Sequence, residues 1–274
     1  MDLSRVLQIV SRTDAGMVRA HNEDAVVSDA AHGIVVLADG MGGYNAGEVA
    51  SGMATTVIAT EVAQALASVS PQDLDPQTRR PRAEGLLRDQ ILKANTSIHQ
   101  AAQSQPQYAG MGTTLVTCLF YDNRMMVAHL GDSRLYRMRD GALTQVTRDH
   151  SLLQEQIDSG LITPEQAKTA QHRNLVTKAL GIDPVVEPEI REYRTAPGDI
   201  YLVCSDGLCD MVSDEDIGMA LEALGANLEL AAQQLVQMAN DNGGRDNVSV
   251  ILVRILREYP AARGVMARFF AWLK

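Results

Sequence analysis

Four aspartates stand beside or within two residues of glycine where apolar runs stop or start. Asp39 follows Ile34 to Ala38 and precedes Gly40-Met41-Gly42-Gly43. Asp206 closes the run Ile200 to Cys204 and precedes Gly207, and Asp132 follows Val127 to Leu130 and Gly131. Asp246 comes after Gly243-Gly244 and opens the run Val248 to Leu252. Any one of these is an ordinary turn. Four of them, with Glu23-Asp24 beside Asn22, make a set of hard oxygen ligands of the kind that Mg²⁺ and Mn²⁺ select. Glycine next to such a ligand lets a backbone carbonyl or a substrate come close. Glu23 and Asp24 are neighbours, so on a regular strand they point to opposite faces. One is then expected to contact metal and the other to act through water or to support the ligands. Arg19 lies four residues before Glu23, which on a strand puts both on one face. Its guanidinium is a planar fork suited to phosphate. The six histidines, His21, His32, His99, His129, His150 and His172, show no zinc-ligand spacing. Of these, His150 and His172 flank a polar stretch, 151–180, and have the most claim on a role.

Elements that would position these residues follow from the hydrophobic pattern. Val6 to Val10, Ala25 to Val27 and the unbroken run Ile34 to Ala38 predict strands. Ala46 to Val69 and Ala83 to Gln103 carry apolar residues at helical spacing, separated by a loop holding Pro71, Pro76 and Pro81. Thr113 to Tyr121 and Arg124 to Leu130 flank Asp122-Asn123, and Leu135 to Met138 and Leu143 to Val146 flank Asp140-Gly141, which predicts two hairpins. Ile200 to Cys204 and Val248 to Leu256 read as strands, with helices over Asp214 to Leu224 and Leu228 to Asn240 between them. The 151–180 stretch reads as partly helical, without a strand. Strands in hairpin runs and helices in pairs predict an α+β fold with antiparallel sheets.

Composition narrows the function. The chain has 274 residues, 46% of them hydrophobic and 21% charged, enough to bury a core without disulfides. No apolar run reaches the length of a membrane span, and no apolar segment of signal-peptide type follows Met1. Three cysteines, an odd and sparse set, fit a reducing compartment, so a cytoplasmic location is expected. A formal charge of −10 repels phosphate backbones, and 4% aromatics leave little for base stacking, so nucleic acid is not an expected partner.

Read in order, these residues resemble a known family. Asp14-x-Gly16-x-x-Arg19-x-x-Asn22-Glu23-Asp24, Ala38-Asp39-Gly40-Met41-Gly42-Gly43 with Ala46-Gly47-Glu48, and Gly110-Met111-Gly112-Thr113-Thr114 are similar to motifs of the metal-dependent PPM phosphatases, type 2C, in their bacterial branch. Gly131-Asp132-Ser133-Arg134, Ser205-Asp206-Gly207-Leu208 and Gly244-Arg245-Asp246-Asn247 continue the series, so the resemblance runs from about Val10 to about Arg254. It implies a four-layer αββα sandwich, two antiparallel β-sheets flanked by helix pairs, with metals in a cleft at one end.

The resemblance also implies roles. Asp39 bridges two Mn²⁺ or Mg²⁺ ions. Gly40 gives its carbonyl to the first, with Asp206 and Asp246, and Glu23 serves the second. Asp132, with Asp206 and Asp210, forms a weaker third site. Asp24 and Asn247 stand behind the ligands, Arg19 holds the substrate phosphate, and 151–180 is the flap beside the cleft. Two cations roughly 3.5–4 Å apart lower the pKa of a bridging water, which attacks phosphorus in line. Animal members carry a histidine where this chain has Met41, and a thioether cannot donate a proton. That leaves the general acid open, with a metal-bound water as first candidate and Tyr44 nearby. The implied partners are phosphorylated proteins, including a Ser/Thr protein kinase, and the implied state is a monomer.

Two other functions compete: a non-catalytic phosphoprotein-binding relative, and another metal-dependent phosphoester hydrolase. Retention of Asp39, Asp206, Asp246 and Glu23 speaks against the first, and the acidic charge against a nuclease. The phosphatase domain is expected over 1–257. Beyond it, 258–274 holds the only Trp and two of the three Phe. Its spacing predicts a short amphipathic helix that either packs on the domain or docks to a partner or an anionic membrane.

Overall fold

The computed structural model describes residues 2–43, 46–167 and 175–261. One sheet is formed by β1 (Leu7–Asp14), β11 (Val248–Ile255), β10 (Ile200–Cys204), β7 (Arg134–Arg139) and β8 (Ala142–Gln145), in that order. The other runs β2 (Asp24–Asp29), β3 (Ile34–Met41), β5 (Leu115–Tyr121), β6 (Arg124–Leu130) and β9 (Glu189–Arg194), with the two-residue β4 (Gly112–Thr113) pairing β3 alongside. Every pairing is antiparallel.

The unbroken apolar runs are explained by burial on both faces. In β3, Val35 and Leu37 pack between the two sheets, while Ile34, Val36 and Ala38 pack under helices α1 (Ala46–Leu66) and α2 (Arg82–Ser104). In β11, Ile251 and Val253 face the other sheet, and Val250 and Leu252 face α6 (Asp214–Leu224) and α7 (Leu228–Asp241). Three separate cores therefore define four layers, helix–sheet–sheet–helix. Helix α1 buries Ala46, Ala50, Ala54, Ile58 and Val62, a row at every fourth position, and its small residues let it lie close on β3. Ser213 caps α6 by accepting from the Asp216 N–H, and Asn227 caps α7 by accepting from the Leu230 N–H.

Both expected hairpins form. Asp122 and Asn123 adopt φ of 45° and 56°, and Asp140 and Gly141 adopt 51° and 76°, the left-handed pair that a tight two-residue turn requires. The strand β9 has no counterpart in the hydrophobic pattern. It is an edge strand reading Glu-Ile-Arg-Glu-Tyr-Arg, in which Glu192 accepts from Arg124 of the neighbouring β6 and from Tyr121 of β5 beyond it. The 151–180 stretch contains α3 (Leu152–Asp158) and α4 (Pro164–Ala167). His172 lies outside the described residues.

Packing of the sandwich continues past Arg257. Tyr259 is buried between the sheets, and its hydroxyl donates to the Arg124 carbonyl at 3.0 Å and pairs with Thr195 Oγ1 at 2.7 Å. Ala261 N–H donates to Asp122 at the β5–β6 turn. The remainder of the expected amphipathic tail, 262–274, lies outside the described residues. Among those described, no helix is long and apolar enough to cross a membrane.

Candidate metal centre

The acidic residues singled out by their spacing meet at one end of the two sheets. Asp24 opens β2 and is the direct cross-strand partner of Asp39 in β3. Asp132 follows β6, Asp206 is the first residue of the short helix α5 (Asp206–Cys209), Asp210 caps that helix, and Asp246-Asn247 lead into β11. Two placements differ from the expected strand ends. Asp39 lies inside β3, because pairing with β4 carries that strand on to Met41. Asp206 begins a helix, and the Asp210 N–H donates to its carbonyl at 2.8 Å.

Close backbone approach holds the second carboxylate. The Gly40 N–H donates to the Glu23 carbonyl at 3.1 Å. A Cβ on Gly40 would stand 2.2 Å from the Gly47 carbonyl oxygen, and one on Gly47 would stand 2.8 Å from Glu23 Oε1. Only glycine at both positions lets the start of α1 lie against β3 with Glu23 between them. Beneath Asp39, the Thr114 hydroxyl accepts from its N–H at 3.0 Å, and the Thr113 hydroxyl donates to its carbonyl at 2.8 Å.

Arg19 and Glu23 do not share a strand. Residues 15–23 form the loop between β1 and β2, so the even-spacing argument does not apply to them. Asn247 shapes this loop. Its amide donates to the carbonyls of Ala15 and His21 at 3.0 and 2.9 Å, and its Oδ1 accepts from the Glu23 N–H at 2.8 Å. Arg19 then reaches across to Asp246, with Nη2 donating to Oδ2 at 2.6 Å, while half of its side chain stays exposed. That ion pair holds the guanidinium firmly charged, with Glu23 and Asp206 adding to the effect.

The electrostatics of the cluster are unbalanced. Burial, and then the charges of Asp24, Asp206, Asp132 and Asp246, push the Asp39 carboxyl well above the carboxylate range. Asp206 is pushed up in the same way by burial and by Asp132, Asp210, Asp246 and Asp24. Burial raises Asp24 and Asp132 to about 6, although Ser205 donates to Asp24 Oδ2 at 2.8 Å, and burial also raises Glu23. Asp206 Oδ1 is buried without a hydrogen-bond partner. So many buried carboxylates cannot all ionise against Arg19 and Arg134 alone. Hard divalent cations supply the missing positive charge and take oxygen ligands, so the donor set fits Mg²⁺ or Mn²⁺.

The protein phosphatase 2C family model matches residues 16–252. The chain belongs to that family. Among its relatives, the serine/threonine protein phosphatase PstP of Mycobacterium tuberculosis is 40% identical over 251 residues, 92% of this chain and 45% of PstP, so the chain spans less than half of that relative. Protein phosphatase PhpP of Streptococcus pneumoniae is 36% identical over 92% of this chain and 99% of its own length. The crystal structure of Mycobacterium tuberculosis PstP superposes with a TM-score of 0.83 at 39% identity, covering 92% of this chain and all of that one. Another structure, the PstP catalytic domain in complex with two manganese ions, superposes at 0.78, again at 39% identity, covering 92% of this chain and 99% of that one. The sandwich of this family is thus the fold found here.

Within the family fold, Thr114, Ser133 and Ser205 stand inside the quoted motifs, but nothing in the sequence assigned them a role beneath the carboxylates. Ser205 has the hydroxyl of a turn residue in sequence, yet it ties Asp24 to β11 by accepting from the Ser249 N–H at 3.0 Å. Thr114 and Ser133 pair hydroxyls at 2.8 Å under Asp39 and beside Asp132. No local pattern marks these contacts, because each joins residues far apart in the chain. Met41 pairs with Gly112 across β3 and β4, and Tyr44 lies outside the described residues.

Proposed function

We propose that this chain hydrolyses phosphoserine and phosphothreonine in proteins, using two Mn²⁺ or Mg²⁺ ions and a weaker third. The observation that supports this most is the burial of Asp39 and Asp206 among other carboxylates, with one Asp206 oxygen unpartnered. On this reading Asp39 would serve both ions, the Gly40 carbonyl, Asp206 and Asp246 would serve one of them, and Glu23 the other. Asp132, Asp206 and Asp210 hold the third, and Asp24 and Asn247 support the ligands from behind. PstP, a relative by sequence and by fold, carries two manganese ions in its catalytic domain. Bound in this cluster, the cations supply an activated water and positive charge for the phosphoryl oxygens.

The chain's own groups do the rest. Arg19 stands at the edge of the cluster on a loop that Asn247 fixes at both ends. It exchanges its bond to Asp246 for the non-bridging oxygens of the substrate phosphate, and orients the ester for in-line displacement. No cysteine takes part: Cys118 and Cys204 are buried, burial pushes the Cys118 thiol up, and a hydrogen bond with Cys204 and then burial push the Cys209 thiol well up. The substrates are phosphorylated proteins, a Ser/Thr protein kinase among them, in the cytoplasm, and the enzyme acts as a monomer.

The test is turnover of a phosphothreonine peptide, a nucleic acid and a cyclic nucleotide, each with Mn²⁺ and with excess chelator. Mn²⁺-dependent release of phosphate from the peptide alone is expected. Turnover in chelator, or preference for either nucleotide substrate, overturns the proposal.

A further inference from the structure

His150 lies outside the acidic cluster yet holds the backbone that leads into it. Gly131, the residue between β6 and Asp132, spends both of its backbone groups on His150. Its carbonyl accepts from the His150 N–H at 2.8 Å, and its own N–H donates to His150 Nδ1 at 3.3 Å. Gly131 has a φ of 100°, and a Cβ there would meet the Thr114 side chain at 2.7 Å. The approach to Asp132 is therefore fixed from two sides, by Thr114 and by His150.

The same residue anchors the 151–180 segment. The His150 carbonyl accepts from the Thr177 N–H at 2.8 Å, and the next residue but one, Leu152, donates its N–H to the Leu175 carbonyl at 2.9 Å. Departing and returning ends of the segment thus meet at His150. The ring itself is braced. It stacks on His129 with centroids 4.7 Å apart and planes 7° from parallel, and His129 Nε2 lies 2.8 Å from the Arg148 carbonyl. Burial and then His129 hold His150 down to about 4, so the imidazole is neutral at neutral pH. With Nδ1 accepting from Gly131, its proton sits on Nε2, 3.7 Å from Glu189.

His129, His150 and Glu189 bring ligand atoms within 4.8 Å of one another, a spacing that an ion can use. The stack argues against that use. An imidazole donates its lone pair in the ring plane, and two nearly parallel planes do not meet at one ion. The Gly131 N–H also occupies the only lone pair of a neutral His150.

We infer that His150 is a positioning residue: through Gly131 it sets where the Asp132 carboxylate stands, and through Thr177 it ties that placement to the 151–180 segment. The inference rests on the metal-centre reading above, and its test separates the two. Mn²⁺ calorimetry on the full chain compares Asp132→Ala, His150→Ala, the double variant and His150→Asn. The asparagine oxygen takes roughly the place of Nδ1 and accepts from Gly131, but it cannot stack on His129. His150→Ala is expected to weaken the same Mn²⁺ step as Asp132→Ala by about tenfold, the cost of removing a support behind a ligand. The double variant should be no weaker than Asp132→Ala alone, because one residue acts through the other. His150→Asn should recover most of the loss, and kcat for phosphopeptide should follow the same order.

Additive losses in the double variant overturn the inference, as does an unchanged isotherm in a folded His150→Ala. If His150→Ala does not fold, His150→Asn is compared with His150→Gln, whose oxygen lies past the Nδ1 position. Asparagine should then resemble the unmutated chain while glutamine is impaired, and equal behaviour of the two overturns the inference. A chain that binds Mn²⁺ normally but turns over no phosphopeptide sinks the phosphatase reading alone, since the calorimetry needs no substrate.

Discussion

Replacing Asp132 by asparagine should stabilise the metal-free protein at neutral pH while impairing the enzyme. Burial raises the Asp132 carboxyl from 3.8 to about 6, with Asp149 and Asp210 contributing like charge. A carboxyl whose value rises on folding binds more protons in the folded state than in the unfolded one between those two pH values. Stability then falls as pH climbs from about 3.8 through about 6, and the full penalty is present above that. The gap corresponds to about 3 kcal/mol at pH 7. Asparagine keeps the shape and carries no charge, so it removes the penalty. For a domain of this size that is a rise in Tm of about 6–12 °C. The assay is thermal unfolding of metal-stripped wild type and Asp132→Asn from pH 3.5 to 7.5. The two curves should coincide at the acid end and separate through pH 4 to 6.5. Saturating Mn²⁺ should shrink or reverse the gap, because the wild type then gains a ligand-linked stabilisation that the variant lacks. A variant that is no more stable than wild type at pH 7 without metal would refute the claim that burial, with the like charge of Asp149 and Asp210, penalises an ionised Asp132.

Asp39→Asn removes one charge from the proposed bridging ligand and should lower phosphopeptide turnover by orders of magnitude; activity near wild type in a Mn²⁺ titration contradicts the bridging role. Arg19→Ala should raise KM and lower kcat/KM for phosphopeptide, because the clamp is lost in ground and transition states alike, and an unchanged KM assigns Arg19 to loop structure. Gly47→Ala places a methyl 2.8 Å from Glu23 Oε1 and 2.7 Å from the Gly40 backbone. Mn²⁺ affinity should fall and denaturant titration should show a loss of about 1–3 kcal/mol. Tyr259→Ala should destabilise by roughly 3 kcal/mol, the cost of emptying a buried aromatic site, and leave kcat intact; a neutral effect contradicts its place between the sheets.

The hydrophobic pattern reveals those parts of the fold that are buried on two faces. Ile34 to Ala38 had to be an inner strand, since nothing else covers both sides of an unbroken apolar run. Asp39, Asp132, Asp206 and Asp246 were visible for a related reason: a carboxylate ending such a run needs a cause. Strand β9 was hidden because an edge strand that faces solvent can be written in charged residues. The loop 15–23 was misjudged because even spacing says nothing once pairing stops at Asp14. What bends it is Asn247, more than two hundred residues away. His129 and His150 looked unrelated for the same reason, as only the return of the chain after β8 brings their rings together.

Both sheets contribute to the acidic cluster. Asp24 and Asp39 come from one, and Asp206 and Asp246 border strands of the other. The acidic end is therefore also a seam between the two sheets. At the far end, Tyr259, on the chain that leaves β11, already ties that sheet to the other through Arg124 and Thr195. At the acidic end Ser205 ties to Asp24 and Asn247 to Glu23 across the seam, and cations bound among the carboxylates would add a clasp that keeps the two sheets from parting. Fraying should then start at the acidic end when metal is scarce. On the phosphatase reading proposed above, a cell short of manganese would lose the protein by unfolding as well as by idling.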